Sequence, residues 1–449
     1  MATHRRDILA ILFGLCHSTC GWSHYTTTNL LSLLLKKLYQ DSKQRLDAEP
    51  DFAQRAKATT VKLQSARNSA LNALWKTLVT ISIADFDRMY SRLNIPRSDD
   101  WYLGESFYQD KVEAAISDLK QFCTTSQTDS SVLLFTGIPE ARFKKEDKVD
   151  EVPLILRKSD GGIGYDATDV AAIRYRLKSI HAEKLLYVTD SGQSLHFSLV
   201  FHAAKLAGWT KLRADMEASL HHVAFGVVRK ASGGRIKTRE AGAQTLDSLL
   251  DQAIERTFRI LESKRKDRWT AQELETIRAI AHPLGVASVV FSELKTNRSN
   301  DYEFNVARMC NPDGDSALYL MHVLQKIRRL GLPSQSPSPS SGSFNLNGAS
   351  PKERALALNV AKFHDVVEAS LSQLAPHLLC THALSVAGDV SSFLEELGPR
   401  EKASDRPLLV RAAERVILQE LSLLGLGPFV EQMRPVLDHV ASWRHVELL

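Results

Sequence analysis

The sequence predicts a helix-rich α/β fold with a partial parallel sheet over residues ~100–300, followed by an all-α bundle. Three observations predict it. Residues 158–197, KSDGGIGYDATDVAAIRYRLKSIHAEKLLYVTDSGQSLHF, read as a glycine-rich turn, a helix, a short buried strand and a polar loop. A second apolar β-type run, HHVAFGVV (221–228), comes after an amphipathic helical segment, so the two strands are expected to be parallel neighbours joined by a helical crossover. From Asp315 onward the apolar residues recur at helical spacing.

Within the first of these stretches, Gly161, Gly162 and Gly164 suit a turn in which backbone takes positive φ or approaches a ligand closely. Asp166 is the expected N-cap of the helix, with Asp169 in its first turn. Val170, Ile173 and Leu177 recur at +3 and +7, the spacing of a buried face. Tyr165 and Asp169, four apart, share one wall of a helix that begins early enough. The strand LLYV (185–188) ends in Thr189-Asp190-Ser191-Gly192-Gln193, and in open α/β sheets ligands sit where strands end in this way.

Elsewhere the chain alternates helical and strand-like runs. Leu31, Leu34, Leu35 and Leu38 mark the face of a first helix, and a second begins after Ala48-Glu49-Pro50. Leu74, Trp75, Leu78 and Ile81 continue a packing face. A helix over QDKVEAAISDLKQF precedes two strand-like runs, SVLLFTGIP and VPLILRKSD. The second β run leads into a basic, glycine-bearing loop, RKASGGRIKTREAG. Thr270 and Glu273 have capping-box spacing at the head of a long helix. Further helices are expected over ~354–376, 382–397 and 407–424. Residues 331–350 form a Pro/Ser/Gly run without apolar period, hence a flexible insert.

Composition bounds the function. The chain has 449 residues, 44% hydrophobic and 24% charged, enough for two or three soluble globular domains. A net charge of +5, from 57 Lys and Arg against 52 Asp and Glu, permits a polyanionic partner without demanding one. The five cysteines are odd in number and scattered, as in a reducing compartment. Cys16, His17, Cys20 and His24 are of metal-ligand type, but no second pair lies at a zinc-site spacing, so no metal site is assigned. Residues 1–30 are atypical: Arg5-Arg6 and a short apolar run resemble a signal peptide faintly, and the run is too short for a membrane span. No GxGxxG comes after a strand, which argues against an unrelated dinucleotide-binding enzyme.

The runs YQDSKQRLDAEPDFAQRA, GESFY, Tyr165-Asp166-x-Thr168-Asp169, Gly192-Gln193-Ser194-x-His196-Phe197, HxxFGxV, LAPHLLC and LGLGPFVEQM together resemble arginyl-tRNA synthetases of the eukaryotic cytosolic type, over roughly residues 31–433. The resemblance implies a class I, Rossmann-like catalytic domain over 31–298 and a helical anticodon-binding domain over 299–449. It implies an arginine–tRNA ligase, with L-arginine, tRNA and ATP (as its Mg2+ complex) as partners. The expected setting is cytoplasmic, without a membrane, as a monomer or within a larger synthetase assembly. It makes Tyr165, Asp169 and Gln193 the arginine pocket and sets His196 beside the reacting centre. A guanidinium calls for a planar acceptor such as the Asp169 carboxylate, and Asp169 is expected within reach of Gln193.

By the same resemblance, Arg235, Lys237 and Arg239 stand in a degenerate KMSKS loop, a cation clamp for the ATP phosphates. His222, Phe225 and Gly226 would approach the nucleoside side, with Lys237 on its phosphates. Tyr319, His322 and Lys326 would face tRNA where the family reads Tyr-x-x-Tyr-x-x-x-Arg. No His-x-Gly-His run of the HIGH type occurs, so the resemblance corresponds to the later part of the family's chain. Adenylation by this chain alone is therefore not expected. The alternative is an inactive synthetase-like protein that binds tRNA or arginine.

Overall fold

The computed structural model describes residues 27–65, 70–98, 102–145, 148–229, 245–264, 269–330, 349–397 and 407–441. The chain divides into two units, one running through Tyr90 and resuming over Pro96–Phe225, the other made of Ser91–Ile95 and the chain from Gly226 on.

The first unit opens with helices α1 (Thr27–Ala48), α2 (Pro50–Ser65) and α3 (Ala70–Arg92), the last two residues of which belong to the second unit. Pro50 sits at the start of α2, where its missing N–H costs no hydrogen bond. Leu38 and Phe52 are buried; Leu74, Trp75, Leu78 and Ile81 are half-buried along α3. Two short helices, α4 (Glu105–Tyr108) and α5 (Val112–Leu119), lead to the strands β1 (Cys123–Thr125), β2 (Val132–Leu134), β3 (Arg142–Lys145), β4 (Lys148–Glu151) and β5 (Leu154–Arg157). These make an antiparallel sheet in the order β1-β2-β5 and a separate β3-β4 hairpin.

Then come α6 (Tyr165–Lys178), β6 (Lys184–Asp190), α7 (Ser194–Leu206), a small hairpin of β7 (Lys211–Arg213) and β8 (Met216–Glu217), and β9 (Ser219–Phe225). Strands β6 and β9 pair in parallel over seven residues, from Lys184↔Ser219 to Asp190↔Phe225, as the two apolar runs and the intervening helix require. The expected partial parallel sheet is thus a two-stranded parallel pair beside small antiparallel sheets among the described residues. Helix α6 is buried almost all round, with Val170, Ile173 and Leu177 joined by Ala167, Thr168, Ala171 and Ala172. On β6 the pleat alternates, with Leu185 and Tyr187 buried and Leu186 and Val188 exposed.

The second unit is helical, with one two-stranded parallel ribbon of β10 (Val228–Arg229) and β11 (Tyr302–Glu303) among its described residues. Its helices are α8 (Leu246–Glu262), α9 (Ala271–Lys295), the short α10 (Val306–Met309), α11 (Ala317–Arg329), α12 (Pro351–Ala361), α13 (Phe363–Gln373), α14 (His377–Leu397), α15 (Pro407–Leu423) and α16 (Gly427–Ala441). The capping box at Thr270 forms as its spacing predicts. The hydroxyl accepts from the Glu273 N–H, and the Glu273 carboxylate accepts from the Thr270 N–H. Helix α9 has the length and apolar content of a membrane span, yet Ile277, Ile280, Leu284, Val286, Val289 and Phe291 are all buried in this unit. At Gly285 a Cβ would lie 2.6 Å from the Ile254 Cα, so α8 and α9 touch backbone to backbone there.

The single helix expected over 354–376 is two helices, broken at Lys362 and closed by Leu374 in the left-handed region (φ +52°). Of the insert read over 331–350, residues 331–348 lie outside the described residues. Ala349 is buried, and Ser350 caps α12 by accepting from the Glu353 N–H.

Candidate active site

The site is built where α6 begins and β6 ends. Before α6 the chain turns back on itself, with the Gly161 N–H donating to the Lys158 carbonyl (2.9 Å) and the Lys158 N–H to that of Gly162 (3.1 Å). Gly161 alone of the three glycines takes a left-handed φ (+76°). The Gln64 side-chain amide in α2 pins this loop, donating to the Ile163 carbonyl (3.2 Å) and accepting from its N–H (3.4 Å).

Gly164, in extended conformation, is the N-cap of α6, so the helix starts at Tyr165 and not after an Asp166 cap. The expected role of Asp166 is thereby corrected: it is the acid of the first turn, and Asp169 falls in the second. The Asp166 carboxylate accepts instead from the Ile155 N–H of β5 (2.7 Å). The early start does put Tyr165 and Asp169 one turn apart, both half-buried.

At the end of β6, Asp190 caps the adjoining turn, accepting from the Gly192 N–H (3.1 Å) and from the Gln193 amide (2.9 Å). Gln193 is exposed and held by Asp190, while the Asp169 carboxylate is bonded to the His196 Nε2 at 2.8 Å. The hydrogen bonds thus pair Gln193 with Asp190 and Asp169 with His196. The physical reason is proximity in sequence. Gln193 lies three residues from the Asp190 cap, whereas His196, in the first turn of α7, reaches across to α6.

His196 is clasped from both ends, its Nδ1 lying 3.4 Å from Asp166 Oδ1 and its Nε2 2.8 Å from Asp169 Oδ2. Burial pushes the imidazole down, but hydrogen bonds to Asp166 and Asp169 outweigh it and raise the group to about 9. At neutral pH the ring is an imidazolium between two carboxylates. It meets Phe197 edge-on at 5.2 Å, and His222 stacks on the same Phe197 at 5.1 Å while pairing with the Thr189 hydroxyl at 2.8 Å.

The remaining sequence candidates are dispersed. Phe225 is exposed at the end of β9, level with Asp190 in the sheet register. Gly226 lies in the second unit, where a Cβ would meet the Asn300 carbonyl oxygen at 2.1 Å, so this position requires glycine for packing. Arg235, Lys237 and Arg239 lie outside the described residues. On α11, Tyr319, His322 and Lys326 share the half-buried face while Leu318, Leu320, Val323, Leu324 and Ile327 are buried. The Tyr319 hydroxyl lies 3.4 Å from the Ser391 hydroxyl. Sequence reasoning missed Asp166 as a site carboxylate, Asp190 as the anchor of Gln193, and Gln64. Of these only Asp190 left a signal, an Asp immediately before a Ser-Gly turn.

Known proteins share both the sequence pattern and the architecture. Residues 23–306 match the family described as tRNA synthetases class I (R), catalytic domain, and residues 323–433 match the DALR anticodon binding domain. The chain belongs to the class I arginyl-tRNA synthetase family. Curated relatives include the arginine–tRNA ligase of Pseudomonas savastanoi pv. phaseolicola, 33% identical over 401 residues, and that of Cutibacterium acnes, 33% identical over 407. Each alignment covers 87% of this chain and 66% of the relative, so the chain spans just under two thirds of their length. Among solved structures, arginyl-tRNA synthetase from Plasmodium falciparum superposes with a TM-score of 0.63 at 27% identity, covering 87% of this chain and 62% of that one. The Thermus thermophilus arginyl-tRNA synthetase, at 20% identity and TM-score 0.67 over 94% of this chain and 73% of that one, shares the fold.

Proposed function

We propose that this chain carries arginine recognition for the ATP-dependent ligation of L-arginine to tRNA, in the cytoplasm. The observation that supports this best is the pair of half-buried carboxylates, Asp166 and Asp169, aimed at one planar cation beside Tyr165 at the end of a parallel strand pair. An arginine guanidinium is such a cation, with N–H donors in a plane. In the ligation, the arginine carboxylate attacks the α-phosphate of ATP, expelling pyrophosphate and forming arginyl-adenylate. The tRNA terminal hydroxyl then takes the acyl group and AMP leaves. The role of these residues is to hold the side-chain end so that the carboxylate is free to react.

Arg235, Lys237 and Arg239 are the candidates for the pyrophosphate clamp. His222, Phe225 and Gly226 are those for the nucleoside. Tyr319, His322 and Lys326 are those for tRNA, where Lys326 would meet phosphate as a point charge. L-arginine should bind the purified chain in calorimetry, and Asp169→Asn should weaken it by ~2–5 kcal/mol, the scale for losing one partner of a desolvated charge pair. An unchanged dissociation constant would remove Asp169 from the pocket.

The second reading is a synthetase-like protein that binds arginine or tRNA without catalysis. ATP–pyrophosphate exchange with arginine and tRNA separates the two: exchange supports the ligase, and binding without exchange supports the second reading.

A further inference from the structure

We propose that His196 is a resident counter-cation for the Asp166–Asp169 pair, and that a bound arginine displaces its imidazolium from Asp169 by substituting one planar cation for another. The inference rests on the reading of Asp169 as the arginine acceptor and adds what already occupies that acceptor.

The geometry carries it. Each ring nitrogen faces a different carboxylate, Nδ1 toward Asp166 and Nε2 toward Asp169. Facing a carboxylate on each side, the ring is favoured in its protonated form, a flat delocalised cation. The two carboxylates are not equally committed. Asp166 is also held by the Ile155 N–H of β5, so it keeps its place whatever the ring does. Asp169 hydrogen-bonds only His196 among the described residues. The exchangeable partner is therefore the one on Asp169.

Charge sets the response to a ligand. Two carboxylates and one imidazolium carry a net charge of −1. Adding a guanidinium on Asp169 removes the ring's shorter bond and sets a second cation beside it, and both changes favour loss of the ring proton. Arginine capture should then release a proton and grow tighter as pH rises. Tyr187 of β6 also feels the Asp169 charge, and four other polar or charged groups on or beside the packed elements have partners of their own. Arg176 of α6 lies over the Tyr187 ring of β6. Asp190 caps the turn after β6. His222 of β9 pairs with Thr189. Lys158 before α6 lies against Gly164.

The test is calorimetry of L-arginine binding from pH 6.0 to 8.0, in phosphate and in Tris, whose different ionisation heats count the protons released. The wild-type dissociation constant should fall as pH rises, by about tenfold per pH unit at most, with heats that differ between the buffers. His196→Gln should bind with little pH dependence, more tightly than wild type at pH 6.0, and with the same observed heat in both buffers. Should that variant misfold, Asp166→Asn gives a second route, because its amide oxygen can still accept from the Ile155 N–H. It should lower the His196 titration midpoint, tracked by NMR of the imidazole, and saturating L-arginine should lower it further. Wild-type binding without proton release, or a slope that survives His196→Gln, overturns the inference alone. Absence of arginine binding at every pH overturns the reading beneath it as well.

Discussion

Two histidine–carboxylate pairs, one in each unit of the chain, show how burial divides structural from functional use of the same chemistry. In the helical unit, His382 of α14 is clamped between Glu420 of α15 (Nδ1 to Oε1, 2.6 Å) and the Asn359 carbonyl of α12 (Nε2 to O, 2.9 Å). Burial pushes this imidazole down, but the bonds to Glu420 and Asn359 prevail and its pKa is raised. Both side chains are buried, Glu420 completely. In the α/β unit, His196 and its carboxylates are a fifth to a third exposed. The buried pair ties three helices together and leaves no path for a ligand. The half-open pair keeps its charges where a solute can reach them, at a strand end. The comparison teaches that exposure and fold position, more than the pairing itself, mark a candidate site.

The largest expected effect tests the buried member. Glu420→Ala breaks this buried pair and leaves the His382 Nδ1 without its partner, which should cost about 3–5 kcal/mol in urea unfolding. Glu420→Gln should cost less, since its amide oxygen can still accept from Nδ1. If Glu420→Ala loses under ~1 kcal/mol, the pair is no structural clasp and the contrast fails.

Next is the pH dependence of the half-open clasp. Raised from 6.5 to about 9, His196 stabilises the fold fully below its unfolded value and loses that stabilisation as pH climbs through the folded one. The window is thus about pH 6.5 to 9, and the loss about 3 kcal/mol at 1.36 kcal/mol per unit. Unfolding midpoints across that range should fall for wild type, and Asp169→Asn should flatten most of the slope. A wild-type midpoint constant over the window would show that the ring is not held as an imidazolium.

Much of this was legible in the sequence, and the remainder was hidden for a common reason. The buried face of α6, the parallel register of β6 and β9, and the Thr270–Glu273 box arise from residues three, four or seven apart or from strand runs joined by one helix. The clasps do not. Asp169 and His196 are 27 residues apart, and His382 and Glu420 are 38 apart. No local period reports which carboxylate a histidine meets after two elements pack. Asp166 was misread because an Asp before a helical run looks like a cap. Only the extended Gly164, wedged beside Lys158, shows that the helix had already begun. The family runs did mark Tyr165, Asp169, Gln193 and His196 as a set, and the structure brings Asp169 and His196 into contact but leaves Gln193 with Asp190.

The smallest expected effect separates the two carboxylates of the open clasp. Asp166 lies 3.4 Å from Nδ1, longer than the 2.8 Å between Asp169 and Nε2, and it also accepts from the Ile155 N–H. In Asp166→Asn the amide oxygen can keep the backbone bond, so the helix start should stay intact. What disappears is one partly solvated charge beside the ring, and such partners contribute about 0.2–1 kcal/mol. The His196 midpoint should therefore drop modestly in Asp166→Asn and much further in Asp169→Asn, read by NMR on the same ring. Equal drops would mean that the ring sits symmetrically between two equivalent charges, and Asp169 would lose its standing as the carboxylate free to exchange partners. A drop confined to Asp166→Asn would invert the assignment and move the exchangeable position to the β5 side.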